Sequence, residues 1–550
     1  MQKTQSAHWL DQVVDDIIEW QQQHNSKTLH VDDMKTPSGR VHVGALRGVI
    51  LHDLVAKVLR QRTSTEVIST YVFNNMDNMD SLPGYLPEEY QAYMGHSLNK
   101  IPTPPLDKGG ISFETADEVE KDRYRQAENF AQFYAFDFID AFTTLGATPD
   151  IVWSNELYES GKMNDIIRVS LDSIDEMRKI YHEVADYDLP EKWYPFQVQC
   201  EKCHCCGSTL VTEWDGQEVT YQCQEKKVEW AKGCGHTGKV APFNGTGKLL
   251  WKVDWPAHWQ VMGVTIEGAG KDHTSAGGSR DMANAMCERV FHNQSPFDIP
   301  YEWIMVRGAK MSSSKGIGMS AKDFVQIMPP AVGRFLFTSH HFNQVIDFDP
   351  STLAIPDLFD EYDQGARIFW QVEEGDARLG RSFELSQIDA VEELHFLPRF
   401  RDVVQWMQFP NVNLAEHFAK IKGSPLSEIE SSVLDERIQY AKRWLETSAP
   451  DSVKFLPSQS LPEAVSELTV EQKQYLQQLN ELMQAHQDWQ PEDLQQGLFE
   501  LAKATVGTKQ AFGAIYAAII GKTSGPKAAW LLASLDPAFC RNRLQEASKL

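Results

Sequence analysis

Apolar residues in the first third of the chain switch between two periods. Between residues 9 and 23, Leu10, Val13, Val14, Ile17 and Ile18 recur at helical spacing on a polar background. Residues 28–31 are short and β-prone, and residues 45–60 return to the helical period with Leu46, Ile50, Leu54 and Val58 on one face. Residues 65–73 are rich in β-branched and aromatic side chains and predict a strand. Strand, glycine-containing turn, helix, strand is a βαβ unit of a parallel sheet. Helices are predicted over 117–145 and 161–186. A strand over 261–267, a helix over 274–290 and a short buried strand over 301–306 extend the α/β pattern. After about residue 331 strand-like runs vanish. Helical periodicity then dominates at 433–445, 476–483, 498–504 and 512–520, without a repeat of fixed period.

At 550 residues the chain exceeds one hydrophobic core. The pattern divides it into a split α/β, Rossmann-type parallel sheet domain (1–85 and 248–335), an insertion (86–247) and an all-α region (336–550). With 42% hydrophobic and 23% charged residues, each part has the apolar mass for a packed core. No apolar run approaches the ~18 residues of a membrane span, and residues 1–7 carry no basic-then-apolar leader. The expectation is a cytoplasmic protein with no membrane partner, and a monomer. The net charge of -25 speaks against nucleic acid if taken as a total, but local basic patches decide such binding.

Eight cysteines are present, six of them between Cys200 and Cys234. Clustering of this kind in a long chain without a leader favours metal over disulfides. Cys200-x-x-Cys203 and Cys223 with Cys234-Gly235 bracket β-prone segments, as a zinc ribbon requires. Cys206-Gly207 offers a second choice, with Cys203-x-x-Cys206 as the knuckle. An all-thiolate set would hold one structural ion, since a catalytic zinc keeps an open position.

Two stretches suit a polyanion. In the first βα turn, Lys35-Thr36-Pro37-Ser38-Gly39-Arg40-Val41-His42-Val43-Gly44-Ala45 places His42 and Gly44 where a sheet of this kind receives a nucleotide phosphate. Far downstream, Lys310-Met311-Ser312-Ser313-Ser314-Lys315-Gly316 brackets hydroxyl residues with two lysines. Either stretch alone is an ordinary surface loop. Gly270-Lys271-Asp272-His273 gives a glycine-containing strand end with titratable residues, and the polar run Asn74–Asp80 follows the second strand.

Together, His-x-Gly and Lys-Met-Ser-x-Ser resemble the paired signatures of the class I aminoacyl-tRNA synthetases, which carry them after the first and last strands of a Rossmann catalytic domain. Within that class the chain resembles the archaeal-type lysyl-tRNA synthetases. The likeness spans about Thr36 to Phe337 and is strongest in Trp251-Lys252-Val253-Asp254-Trp255-Pro256-Ala257, Gly270-Lys271-Asp272-His273 and Pro300-Tyr301-Glu302-Trp303-Ile304. The resemblance implies activation of lysine by ATP with Mg²⁺, then transfer to the 2′-hydroxyl of the terminal adenosine of tRNA(Lys). It implies catalytic roles for His42, Lys310 and Lys315. ATP contacts would come from Thr36, Pro37, Ser38, His42, Gly44, Ala45, Gly270, Asp272, Lys310, Met311, Ser312, Ser313 and Ser314. Lysine contacts would come from Thr36, Asp77, Trp251, His273 and Tyr301. It favours Cys200, Cys203, Cys223 and Cys234 as structural zinc ligands, and makes the C-terminal helices an anticodon-binding domain. The sequence departs from that family at Ala45, where an asparagine is usual, and at Gly48, where a glutamate near the substrate ammonium is expected; Asp77, Asp80 or Asp272 are the candidate replacements. Competing readings are a class I synthetase for arginine or glutamate, a nucleotidylyltransferase outside translation, and an RNA-binding paralogue without catalysis.

Overall fold

The computed structural model describes residues 8–113, 116–308, 318–409, 412–485 and 490–550. The chain divides into two compact units, Met1–Phe348 with Gly365–Val391, and Asp349–Gln364 with Glu392–Leu550.

The first unit is built on helix α1 (Trp9–His24), strand β1 (Thr28–Lys35), helix α2 (Leu46–Arg62) and strand β2 (Glu66–Phe73). β1 and β2 pair in parallel from Thr28↔Glu66 to Lys35↔Phe73. β1 runs four residues beyond the β-prone stretch read from the sequence, and its C-terminal half is polar. After helices α3 (Glu118–Arg125) and α4 (Phe130–Thr144), strand β3 (Asp150–Trp153) joins the outer edge of β2, also in parallel. β3 falls inside residues 86–247. That stretch is therefore not purely an insertion, because it supplies the third strand of the sheet. The other edge of β1 takes residues around Ile266 through the parallel bridge Val31↔Ile266, and Ile266 in turn bridges Phe297. Strand pairs β9 (Ala269–Gly270) and β10 (Pro300–Tyr301) continue these two segments in parallel. The spatial order is thus β3, β2, β1, the 264–270 segment, and the 297–301 segment, a doubly wound arrangement whose strand ends emerge on one side.

Two predicted helices are each broken in two. Asn129 caps α4, its side chain accepting from the Gln132 amide, so residues 117–145 form α3 and α4. Residues 161–186 form α6 (Asn164–Asp172) and α7 (Ile174–Ala185), parted at Ser173, after the short α5 (Ser154–Glu159). The strand expected from residue 261 begins later. Helix α8 (Trp251–Met262) reaches Met262 and ends at Gly263, whose φ of 71° forms its left-handed cap.

The cysteine-bearing segment forms strands β4 (Phe196–Val198), β5 (Thr209–Trp214), β6 (Val219–Cys223), β7 (Thr237–Val240) and β8 (Gly247–Leu249), all paired antiparallel. Its core is continuous with α6, α7, α8 and α10 (Ser279–Arg289): Cys200, Cys223, Val211 and Tyr221 pack in one cluster with Met177, Val253, Ala257 and Met286. In the second unit, helices over 470–485, 491–504, 508–520, 528–534 and 537–549 enclose Leu476, Leu479, Leu494, Leu498, Ile515, Ile519, Leu531 and Leu544.

Arg280 in α10 fastens the strand segments to each other. Its guanidinium, buried at 1% exposure, donates to the Glu267 carbonyl at 2.7 Å and the Pro296 carbonyl at 2.9 Å. Arg280→Met removes both bonds and leaves buried carbonyls without donors, so it is expected to destabilise this unit by about 2–4 kcal/mol. A urea titration followed by tryptophan fluorescence would show the first transition moving to lower denaturant.

Candidate active site

A cavity of about 450 Å³ opens at the carboxyl ends of β1, β2 and the 264–270 segment. Its wall includes Thr36, His42, Gly44, Ala45, Asp77, Trp251, Gly270, Asp272, His273 and Tyr301, so residues from separate parts of the sequence converge on one space. Pro37 is buried and is not part of this wall, and Ser38 lines a neighbouring recess with Asp80 and Lys248. Lys310, Met311, Ser312, Ser313, Ser314 and Lys315 lie outside the described residues.

The turn that carries His42 is held on both sides. Gly39, at φ 149°, bends the chain, and the Arg40 amide donates to the Tyr85 hydroxyl at 2.8 Å. His42 precedes a single 3₁₀ turn, Val43–Ala45, that feeds straight into α2, so Gly44 and Ala45 stand at the helix N-terminal end facing the cavity. The same turn pairs antiparallel with the chain that follows the lysine-serine stretch. Val43 donates its amide to Met319 O at 2.9 Å, Ala321 donates to Val41 O at 2.8 Å, and His42 bridges Ser320. The Arg40 guanidinium adds bonds to Ser320 Oγ at 2.6 Å and Asp323 Oδ1 at 3.0 Å.

Aromatic rings form one wall. The His273 ring lies edge-on to Trp251 and Trp255, with centroids 6.0 and 5.7 Å apart. Behind them Glu267 is buried, its two oxygens accepting from the indoles of Trp255, at 2.8 Å, and Trp259. Burial raises the Glu267 carboxyl well above the ordinary carboxylate range, with Arg280 and the indoles opposing.

Asp77 is not a lone carboxylate. It accepts from the Thr36 hydroxyl and from the ammonium of Lys248, which is 3% exposed and also lies 3.0 Å from Asp254 Oδ2. Tyr158 donates to the other Asp254 oxygen. Burial alone would lower the Lys248 ammonium, but the facing Asp254 and Asp77 carboxylates reverse this and hold it raised. Asp80 accepts from Ser81 on the surface, and Asp272 is exposed at the cavity rim.

The sequence reading missed Asp33, Met34, Lys35, Tyr71, Trp255, Glu267, Gly268 and Trp303, all of which line the cavity. Asp33, Met34 and Lys35 follow from the extra length of β1. A polar pair in a parallel strand, just before its carboxyl end, was the available signal. Burial pushes the Asp33 carboxyl up to about 7, with the Met34 amide and Lys35 acting against it.

A parallel sheet receiving a ligand between a His-x-Gly helix entry and the chain flanking a Lys-Met-Ser-x-Ser stretch is the layout of a class I aminoacyl-tRNA synthetase. Comparison with known families agrees: residues 7–389 match "tRNA synthetases class I (K)" and residues 412–548 match "Anticodon binding domain". A lysine–tRNA ligase of Archaeoglobus fulgidus is 32% identical over 98% of this chain and 100% of its own. Lysine–tRNA ligase 1 of Methanosarcina acetivorans is 31% identical over 98% of each chain, and a lysine–tRNA ligase of Pyrococcus horikoshii is 30% identical over 98% of this chain and 99% of its own. The chain belongs to the class I tRNA synthetases of the lysine (K) family.

Lys248 neutralises the buried Asp254 as well as the half-buried Asp77, whereas Asp77 is only one of its two partners. Lys248→Met is therefore expected to cost about 3–5 kcal/mol of stability, and Asp77→Asn clearly less. Urea midpoints of the two variants against the wild type measure the difference.

Proposed function

We propose that this cavity binds ATP and lysine together, forms lysyl-adenylate, and passes the lysyl group to the 2′-hydroxyl of the terminal adenosine of tRNA(Lys). The lysine carboxylate oxygen attacks the α-phosphorus, and pyrophosphate leaves with the electron pair of the broken P–O bond. No protein nucleophile is needed, so the chain contributes positioning and charge stabilisation. His42 donates to the phosphates, and Gly44 lets them approach the N-terminal end of α2. Lys310 neutralises the charge that develops on pyrophosphate, with Lys315 as a second cation. Mg²⁺, when bound, shields the phosphate oxygens. Trp251 and His273 flank the aliphatic stem of lysine, a fit for a chain that is apolar along its length and charged at its end.

The observation that supports this reading best is the backbone pairing of Val41–Val43 with Met319–Ala321. It ties the His42 turn to Met319–Ala321, which follow Lys310–Lys315 closely in sequence, and that is what favours a shared phosphate-binding role for the two signatures. The carboxylates of the lining, Asp33, Asp77, Glu267 and Asp272, disfavour an anionic side chain such as glutamate.

The cysteine cluster fits a structural zinc. The Sγ atoms of Cys200, Cys203, Cys223 and Cys234 all lie within 4.8 Å of one another. Cys200 and Cys234 are 3.7 Å apart and Cys203 and Cys223 3.6 Å, close to the ~3.8 Å edge of a tetrahedron with zinc–sulfur bonds of ~2.3 Å. Cys206 stands apart, its thiol against Gln197 O. These four thiolates would hold the ion without an open position.

ATP–pyrophosphate exchange with each of the twenty amino acids tests the reaction. Exchange with lysine alone is expected, and no exchange with any of them, tRNA included, would overturn it. Lys310→Ala is expected to slow adenylate formation by about 10²–10³-fold, the effect of removing one preorganised charge-stabilising donor. Elemental analysis should find one zinc per chain, and Cys223→Ser should lose it and melt at lower temperature.

A further inference from the structure

Gly48 stands in the first turn of α2, in ordinary helical backbone, where a residue with a side chain would be conformationally preferred. Neighbouring side chains, not the backbone, oppose one. A Cβ at this position would lie 2.7 Å from Asp33 Oδ2 and 2.7 Å from the Tyr301 hydroxyl. Both of those side chains line the cavity. We propose that Asp33 is the carboxylate that holds the ε-ammonium of the amino-acid substrate, and that Gly48 is the residue that makes room for it. This rests on the reading of the cavity as a lysine-activating site.

Elimination among the carboxylates supports the assignment. Both Glu267 oxygens are taken by indole N–H groups. Asp77 is held by Lys248 and Thr36. Asp272 is exposed at the rim, where water screens it. Asp33 is buried, accepts at Oδ1 from the Met34 amide at 2.8 Å, and turns Oδ2 toward Gly48.

The nearby histidine does not neutralise it. His52 Nδ1 is 3.7 Å from Asp33 Oδ2. The Gly268 amide, which can only donate, bonds His52 Nε2 at 2.7 Å, so Nε2 accepts. Nδ1 then carries the ring's one proton and gives it to Gly48 O at 2.7 Å. The ring is neutral, and burial lowers its basicity further. Lys35, two residues along the same strand, is the cation whose field reaches Asp33. The carboxylate is thus desolvated beside a neutral ring and a phenol. A substrate ammonium arriving there would gain most from it, because a buried carboxylate that finds a hydrogen-bonded counter-charge recovers its burial cost.

The test compares wild type and Asp33→Asn in lysine-dependent ATP–pyrophosphate exchange, with norleucine, which is lysine without its ε-ammonium, as a competitor. The expected result is a rise of about thirtyfold or more in KM for lysine, the effect of removing one partner of a buried charge pair. KM for ATP and inhibition by norleucine should stay within about threefold. A lysine KM in Asp33→Asn within threefold of wild type overturns the assignment, as does an equal loss of lysine and norleucine binding in a variant that melts like wild type. If Asp33→Asn does not fold, Asp33→Ser removes the same charge and is read in the same way. A wild type without lysine-dependent exchange overturns the parent reading, and this assignment with it; an active wild type beside an unaffected variant overturns only this one.

Discussion

Parallel pairing on both edges of β1 sets where the strand ends that line the cavity emerge. β2 runs beside it from Thr28↔Glu66 to Lys35↔Phe73, and Ile266 bridges Val31 on the other side. Parallel register forces all of these strands to end together. Thr36, Asn74, Gly270 and Tyr301 therefore emerge at one rim although they are far apart in sequence. The crossover that returns the chain from β1 to β2 is α2, and its N-terminal end must lie at the same rim. The His42 turn and the Asp33 side of the cavity are thus two consequences of one register. A slip of one residue in β1 would turn Asp33 away from the cavity and break both.

Within that frame the chemistry is a problem of burying acids. A desolvated carboxylate is costly unless donors or a cation meet it. Three solutions sit side by side. Glu267 is answered by two indoles, which also fixes the ring wall. Asp77 and Asp254 share the Lys248 ammonium, which leaves Thr36 oriented toward the cavity by its bond to Asp77. Asp33 Oδ2 and the Tyr301 hydroxyl both face the space that a side chain at Gly48 would occupy. Satisfied acids shape the wall, and the acid with spare capacity is the one suited to a cationic substrate.

Much of the fold was legible because it is written in short-range patterns. The βαβ start and the change to helical periodicity after residue 331 rest on apolar period, the placing of His42 and Gly44 on a local motif, and that of Trp251 and Tyr301 on the family resemblance. What was not legible depends on long-range partners. β3 is four residues long and half-buried, too short to stand out from its helical neighbours. The break at Asn129 is a side-chain cap and the one at Ser173 is a local departure of the backbone from helical angles, both inside continuous apolar patterns. Asp33 and Gly48 carry meaning only as a pair, and nothing in either residue's own neighbourhood announces the other. For the carboxylate expected at position 48 the sequence points to replacements on the loop after β2 and at residue 272, whereas the group that meets Gly48 comes from the neighbouring strand.

The cysteine-bearing sheet and helix α8, which carries part of the aromatic wall, share one hydrophobic core. Cys200 and Cys223 share a core cluster with Val253 and Ala257 of α8 and with Met282 and Met286 of α10. α8 begins at Trp251, and α10 anchors the strand segments through Arg280. Trp251 is itself 48% exposed, so little packing of its own holds it in place. Its position depends on the register of α8, which the shared core fixes. Four thiolates brought to tetrahedral spacing from β-strand ends would pin the far side of that core. A loss of order there would reach the aromatic wall through α8, because that helix carries both the shared core residues and Trp251.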